Sequence, residues 1–186
     1  MVELHLVRHA APVQDPARPP WEWELAADAT AQVSLLRRSA VLPGAGIWVS
    51  SSEPKAAATA ALLADADIRL DDDLREAVRS GEYVDRGTFE RQVSRSFAAP
   101  ATPAAPGWEP LRVTQSRMLR AARAAVVEAG GADVVLVGHG TALTMLVSAL
   151  TSTPPDVPAW KHMRFPDHCR LTWPDRVEAP WGHWAP

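Results

Sequence analysis

The sequence predicts an α/β fold, a three-layer α/β/α sandwich with a mostly parallel central sheet. Three short runs rich in β-branched residues are typical of buried strands, because none of them alternates strictly between apolar and polar residues. These runs are Leu4–Val7, Ile47–Val49 and Val134–Val137. Helical stretches lie between them, and strands that alternate with helices indicate a parallel sheet covered on both faces.

Length and composition favour one soluble domain over residues 1–186. The chain has 186 residues, 47% of them hydrophobic, which is enough for one full core and short for two. A net charge of −3 argues against a protein that coats nucleic acid, because no basic excess exists to neutralise phosphates. We expect neither a membrane span nor a signal peptide. The single cysteine, Cys169, excludes an intramolecular disulfide and fits the cytoplasm.

Two further segments are weaker candidates for strands. Ile68–Leu70 is expected to be extended, and Leu171–Trp173 is expected to form a strand at the edge of the sheet. Ala98–Gly107 is rich in proline and alanine. Because proline removes a backbone donor and fixes φ, we expect a loop there.

Four stretches are predicted to form helices. The first is Trp23 to Val41, and the second begins after Ser52, with Pro54 in its first turn, where a missing N–H costs little. The third, Pro110 to Ala129, has apolar residues at helical spacing. The fourth, Thr141 to Leu150, is apolar on nearly all sides, so it should be buried.

The ends of the three main strands carry the residues that point to a function. Arg8 and His9 follow the first strand, Lys55 lies just beyond the Ser50–Ser52 turn after the second, and His139 follows the third. Ligands of α/β sheets bind beyond the carboxyl ends of the strands, so we expect these side chains at one edge. We expect no acidic group from these segments.

This cationic set is suited to a phosphoryl group. Arginine offers a planar fork to two oxygens, lysine offers a point charge, and a neutral imidazole is a competent nucleophile toward phosphorus. Taken alone, each residue also has an ordinary explanation. A histidine at a strand end is more often structural, and a lysine in the first turn of a helix is usually solvated. The convergence of three strand ends favours the functional interpretation.

Three motifs, in order along the chain, resemble the histidine phosphatase superfamily, which has the phosphoglycerate-mutase-like fold. The motifs are LVRHA, SSSEPKAAATA and VLVGHG. The family pattern is Arg-His-Gly after the first strand, then Ser-Ser-Pro-Leu-x-Arg-Ala-x-x-Thr-Ala, a Leu-x-Glu segment and a second His-Gly. The resemblance extends from residue 4 to about residue 145.

Carried over residue by residue, the resemblance implies the following roles. His9 would be the nucleophile that becomes phosphohistidine, while Arg8 and Lys55 would hold phosphate oxygens. His139 would donate to the phosphoryl group, with the amide of Gly140 nearby.

The acidic position of the family pattern falls on Glu76. This residue would protonate the leaving oxygen and then help to activate water, as a general acid and base. Glu82, six residues later, competes for the same role. A solvated surface carboxylate is the alternative interpretation of Glu76.

The chain departs from the family pattern at several positions. Ala10 replaces glycine, and Ala11–Pro12 replaces Glu-Thr. An ungapped count places Asp15 where many members have a phosphate-binding asparagine, although Gln14 takes that position if the loop shifts by one residue. The largest departure is Lys55 in place of arginine. Because arginine dominates the 19 basic residues, a lysine at this position hints at a function.

The pattern as a whole predicts a phosphomonoester hydrolase that acts through a phosphohistidine on His9. We expect no cofactor and no metal, since the cations replace one and the Asp71–Asp73 run is better explained as a charged turn. The substrate would be a small phosphorylated metabolite, with neither nucleic acid nor membrane as partner. The alternatives are a phosphomutase, which generally needs larger insertions, and a non-catalytic module that binds phospho-ligands.

Two aromatic-rich stretches remain. The C-terminal one is expected to complete the core rather than cover the site, and its residues in question are Trp160, His162, Phe165, His168, Trp181 and Trp184. The early stretch Arg18–Leu25 is a candidate lid, in which Arg18 would grip the substrate.

Overall fold

A computed structural model describes residues 1–184, and its centre is a six-stranded sheet. The strands are β1 (Glu3–Arg8), β2 (Ile47–Ser50), β3 (Ile68–Leu70), β4 (Val134–Gly138), β5 (Asp167–Thr172) and β6 (Arg176–Ala179). Their order across the sheet is β3-β2-β4-β1-β5-β6. The first four are parallel, and β5 and β6 are antiparallel additions. Residues 185 and 186 of the predicted domain lie outside the described residues.

Six α-helices accompany the sheet within residues 1–184. They are α1 (Ala29–Arg38), α2 (Pro54–Leu63), α3 (Arg86–Ala98), α4 (Leu111–Ala129), α5 (Gly140–Thr151) and α6 (Val157–His162). Apolar residues of α1 and α2 pack on one face of the sheet, and those of α4 and α5 pack on the other. The predicted three-layer, mostly parallel α/β fold is therefore confirmed. None of the helices in residues 1–184 is long and apolar enough to cross a membrane.

Several sequence-based boundaries are confirmed and others are wrong. The helices predicted around α2, α4 and α5 and the extended segment at β3 are present. The first predicted helix is too long, because Leu25 forms a β-bridge with Pro12 and only Ala29–Arg38 is helical. The edge strand predicted at Leu171–Trp173 is instead β5, at Asp167–Thr172, with β6 beyond it.

The sequence did not predict α3, because its residues are mostly polar. Its buried apolar side chains, Val93 and Phe97, pack beside α4 and α5 with Trp108 and Trp160, in a core separate from the two sheet faces. Asp85 caps the helix by accepting a hydrogen bond from the amide of Thr88 (2.9 Å). The predicted Pro-rich loop follows directly after the helix ends.

The register of the central strands places the site. Arg8 at the end of β1 lies opposite Gly138 at the end of β4, and Ser50 at the end of β2 lies opposite Val137. The next residue of each strand therefore leaves the sheet at the same edge.

Candidate active site

Three adjacent strands end side by side, and this brings the predicted site segments together. The amide of His9 donates a hydrogen bond to the carbonyl of Gly138 (2.9 Å), and the amide of Ser51 donates to the carbonyl of Val137 (2.9 Å). His139 follows Gly138 directly. The expected convergence at the carboxyl edge of the sheet is therefore confirmed.

A pocket opens at this edge, and we call it the His9 pocket. Its lining includes Arg8, His9, Glu76, Arg79, Gly140 and Phe165. Gln14 also lines the pocket, whereas Asp15 lies outside it and accepts a hydrogen bond from the amide of Ala17 (2.9 Å). Of the two residues that the sequence left open at this position, Gln14 is the one that faces the pocket. A neutral amide there spares a phosphate the repulsion of a carboxylate.

His9 is almost fully buried, with 6% of its surface exposed. Its Nδ1 lies 2.7 Å from the carbonyl oxygen of Ala10. Because a carbonyl only accepts, Nδ1 carries the proton of the neutral ring and Nε2 carries the lone pair. Burial lowers the pKa of His9 well below its usual value, and nearby positive groups lower it further. The ring is therefore neutral at pH 7.

Arg8 is held by backbone oxygens and by an aromatic ring. Its Nη1 donates to the carbonyls of Met163 (2.5 Å) and Arg164 (3.3 Å), and its guanidinium carbon lies 3.5 Å from the centre of the Phe165 ring. Burial lowers its pKa to about 10, so it remains charged at pH 7. Its Nε has no hydrogen-bond partner within the described chain, so this donor is available to an anion.

Gly140 is the first residue of α5, and its lack of a side chain lets Arg8 approach. A Cβ at this position would lie 3.3 Å from Arg8 Nε, which is closer than ordinary van der Waals contact. The next two amides of the helix, those of Thr141 and Ala142, donate to the carboxylate of Glu76 (3.2 and 2.9 Å). The Gly140 amide is thus the one of these three that is left for a ligand.

Glu76 lines the His9 pocket, as the family pattern implied. Its Oε1 accepts hydrogen bonds from the amides of Ala77 and Ala142 (both 2.9 Å), whereas Oε2 accepts one longer bond, from Thr141 (3.2 Å). The carboxylate is therefore anchored at the start of α5, with Oε2 as its less occupied oxygen. It is not a solvated surface group.

His139 lies behind His9 and is fully buried. The two ring centres are 5.0 Å apart. Its Nε2 lies 2.9 Å from Ser51 Oγ, which also accepts a hydrogen bond from the amide of Glu53 (3.2 Å). The Ser51 hydroxyl can give its own proton to Nε2, an arrangement that leaves the proton of the neutral imidazole on Nδ1. Nδ1 has no partner among residues 1–184.

Burial lowers the pKa of His139 well below its usual value, and the charges of Lys55, Arg117, Arg79 and Arg8 lower it further. His139 is therefore neutral at pH 7, like His9, and with Ser51 as the donor to Nε2 its Nδ1 carries the proton.

Lys55 is buried and does not line the His9 pocket. Its Nζ forms an ion pair with Glu53 and donates to the carbonyl of Pro20 (2.8 Å). Glu53 stands where the family pattern has leucine, and its Oε1 also accepts a hydrogen bond from the amide of Glu76 (2.9 Å). The expectation that the strand ends supply no acidic group is therefore wrong, because Glu53 neutralises Lys55.

Glu53 and Arg79, two residues of the pocket region, were not predicted from the sequence. Glu53 was overlooked because no spacing rule links it to a buried partner. Arg79 lines the pocket, and its guanidinium carbon lies 4.5 Å from the centre of the Phe89 ring. Its position three residues after Glu76 is the signal that could have drawn attention to it. Glu82, the competing acid, also lines the pocket.

The early aromatic stretch borders the pocket only in part. Pro20 and Trp23 line it, but Arg18 does not. Arg18 is half-exposed and lies 3.7 Å from Glu22 and 3.9 Å from Glu24. Arg18, which was predicted to grip the substrate, therefore does not border the His9 pocket.

The C-terminal aromatic residues divide between core and site. Trp160 packs edge-on against Phe97 in the α3 core. Phe165 instead lies over Arg8, with its ring centre 5.3 Å from that of His9. His168 is fully buried beside His5, with a ring nitrogen of each 3.0 Å apart. The core role is thus confirmed for Trp160, and Phe165 borders the site.

Comparison with known proteins indicates the same family as the motifs. The chain matches the model of the histidine phosphatase superfamily (branch 1) over residues 4–181. Among solved structures, YhfR from Bacillus stearothermophilus is similar at 20% identity and a TM-score of 0.75, with 100% of both chains covered. TTHB049 from Thermus thermophilus is similar at 24% identity and a TM-score of 0.72, over 97% of this chain and 99% of that one.

A mycobacterial glucosyl-3-phosphoglycerate phosphatase is similar at 22% identity and a TM-score of 0.70, over 98% of each chain. At such identities these structures share the fold. No curated protein sequence matches the chain. The family model covers nearly the whole length, and the structure sets the two motif histidines side by side at one sheet edge. The chain therefore belongs to the histidine phosphatase superfamily.

Proposed function

We propose that the protein hydrolyses phosphomonoesters through a phosphohistidine on His9. The observation that carries this proposal is the state of His9. Its neutral ring has the proton fixed on Nδ1 and lines a pocket shared with Arg8 and the start of α5. Nε2 is therefore free to attack a phosphorus atom.

The first step transfers the phosphoryl group to the protein. Nε2 forms a bond to phosphorus, the bond from phosphorus to the ester oxygen breaks, and that oxygen takes a proton. We assign the stabilisation of the negative charge on the phosphoryl oxygens to Arg8 and the Gly140 amide, which belong to residues that line the pocket. His139, buried behind His9 and outside the pocket lining, is the third donor that we assign. No metal is needed for this neutralisation.

The proton comes from a carboxyl group of the pocket, and we assign it to Glu76. Its Oε2 accepts only one long hydrogen bond in the described chain, so this oxygen can hold and donate a proton. In the second step the carboxylate takes a proton from water, and the water oxygen attacks the phosphohistidine. Phosphate leaves, and His9 is restored.

The direct test is to trap the intermediate. Protein incubated with labelled phosphomonoesters and quenched in base should carry acid-labile phosphate on His9 and release free phosphate. The substitution His9→Ala should abolish both signals. The matched control is His162→Ala, an exposed histidine on α6, which should retain both.

The same experiment separates the alternatives. Label that passes to a second hydroxyl of the product, without release of phosphate, would identify a phosphomutase. A non-catalytic phospho-ligand-binding module has one observation in its favour, since Glu53 neutralises the cation that the family pattern places near the phosphate. If a broad panel of esters gives no label on His9 and no free phosphate, the binding module is supported and the hydrolase is refuted.

Metal independence is part of the proposal. The group of three potential metal ligands found in residues 1–184, namely Glu3, His5 and Asp133, lies at the opposite end of β1 from His9. Activity should therefore be unchanged after dialysis against a chelator. A loss that Mg²⁺ restores would contradict this part of the proposal.

The proposed substrate is a small phosphorylated metabolite, with neither nucleic acid nor membrane as partner. The net charge of −3 supports this choice, because it offers no general attraction to polyanions. We place the reaction in the cytoplasm, and the single, buried cysteine supports that location.

A further inference from the structure

We propose that Arg79 supplies the second positive side chain that holds the phosphoryl group, in the place that the family pattern gives to the residue at Lys55. The inference rests on the proposed function of the His9 pocket. It concerns which cation of this chain meets the anion, and three observations lead to it.

The first observation is that Lys55 is committed to another partner. Lys55 and Glu53 are both buried, with 5% and 7% of their surfaces exposed, and they form an ion pair. If Lys55 moved toward a phosphate, Glu53 would be left as a buried, unpaired carboxylate, which is strongly unfavourable. Lys55 is therefore retained by Glu53 and is not free to move toward an anion.

The second observation is that the Arg79 guanidinium lies within the pocket and lacks an acceptor. It makes no hydrogen bond or ion pair in the part of the chain that is described. The Phe89 ring lies beneath it. Burial lowers the pKa of Arg79, while the charges of Glu76 and Glu53 oppose that effect. A guanidinium without direct partners in a partly dry pocket is suited to an anion that arrives with the substrate.

The third observation is the contrast with two other arginines. Arg117 is also buried, but it donates to the carbonyls of Asp73, Arg75 and Glu76 and to the Glu109 carboxylate. Both of its terminal nitrogens are therefore occupied, as expected of a structural arginine. Arg86 lines the pocket too, but it is exposed and bonds to Glu90 (2.8 Å). Of these three arginines, Arg79 is the one that makes no hydrogen bond or ion pair within residues 1–184.

The test measures phosphate binding directly, apart from turnover. Binding of inorganic phosphate is followed by calorimetry in the wild type and in the variants Arg79→Gln and Arg79→Lys. We expect at least a roughly tenfold weaker affinity for Arg79→Gln and partial recovery for Arg79→Lys, which keeps the charge but loses the fork. Arg86→Gln, at the mouth of the same pocket, serves as the matched control and should change the affinity much less.

A stability measurement separates binding from folding. Arg79→Gln should leave the thermal midpoint unchanged or raise it, because it removes a desolvated charge without direct partners. Lys55→Met should lower the midpoint, because it leaves Glu53 unpaired. The proposal is overturned if Arg79→Gln binds phosphate as tightly as the wild type, if the wild type binds none, or if weaker binding follows only from unfolding.

The test of Arg79 gives a result that is independent of whether the protein is a hydrolase. His9→Ala, which cannot form the intermediate, still offers Arg8 and Arg79 to inorganic phosphate. A protein that binds phosphate through Arg79 but never carries label on His9 would keep this inference and refute the hydrolase.

Discussion

Two carboxylates of the site have different tasks, although they are close neighbours. Glu53 is buried against Lys55, and it also accepts the amide of Glu76. Glu76 faces the pocket and binds the first amides of α5. Glu53 compensates a charge, and Glu76 is the residue to which we assign the proton transfer, with Glu82 as its competitor in the pocket lining.

The competition between the two acids can be decided by the choice of leaving group. Glu76→Gln should lose most of its kcat on alkyl phosphates, whose alkoxide needs a proton, and much less on nitrophenyl phosphate, whose leaving group does not. Glu82→Gln is the matched control and should retain activity on both. Steady-state kinetics on the two ester classes measure the difference, and equal losses for Glu76→Gln would argue against its role as the acid.

His9, Arg8 and Gly140 could be located from the sequence because strand ends converge at one edge of a sheet. The partners of these residues could not. The compensation of Lys55 by Glu53 depends on side-chain conformations at the start of α2, which no periodicity encodes. Arg79 lies in a segment without regular structure, so its approach to the pocket depends on tertiary packing alone.

At the scale of secondary structure, α4 fixes the segment that carries Glu76. Arg117 on this helix binds three carbonyls of residues 73–76 and the carboxylate of Glu109, whose Oε1 also accepts from the amide of Val78 (3.0 Å). A single buried guanidinium thus joins α4 to the stretch that carries Glu76.

Removal of that guanidinium should destabilise both the fold and the site. Arg117→Met leaves the partly buried Glu109 without its cation and the three carbonyls without their donor, and we expect the free energy of unfolding to fall by about 3 kcal/mol. The matched control is Arg120→Met on the same helix, which removes an exposed ion pair with Asp73 and should change little. Urea unfolding measures both, and similar losses for the two variants would contradict the assignment.

The elements themselves differed in how well the sequence predicted them. The apolar stripes of α4 and α5 placed their boundaries close to where the structure has them. In contrast, α3 is mostly polar and β6 is short and exposed, so neither has a clear hydrophobic period. Their positions depend on tertiary contacts, which the local sequence pattern does not predict.

At the scale of the whole molecule, four buried histidines make stability depend on pH. Burial lowers the pKa of His5, His9, His139 and His168, the last to about 3. In the unfolded chain these groups take up protons near a pH of about 6.5. The unfolded state thus binds more protons below that pH, and the native state loses stability as the pH falls.

We therefore expect the free energy of unfolding to be level above about pH 7 and to decline from about pH 6.5 to about pH 5, before most carboxylates titrate. Each buried histidine contributes up to about 1.4 kcal/mol per pH unit. His168→Gln should reduce the slope, whereas the exposed His162→Gln should not. Urea unfolding across this range is the measurement, and a flat profile would contradict the prediction.

The paired burial of Glu53 and Lys55 also restricts how this sequence can change over evolution. Restoring the leucine of the family pattern at position 53 alone would leave an unpaired ammonium in the interior. Removing the lysine alone would leave an unpaired carboxylate. The two positions are therefore epistatic, and any path back to the common motif requires both changes together or passes through a less stable intermediate sequence. A lineage that carries one of these residues should carry the other.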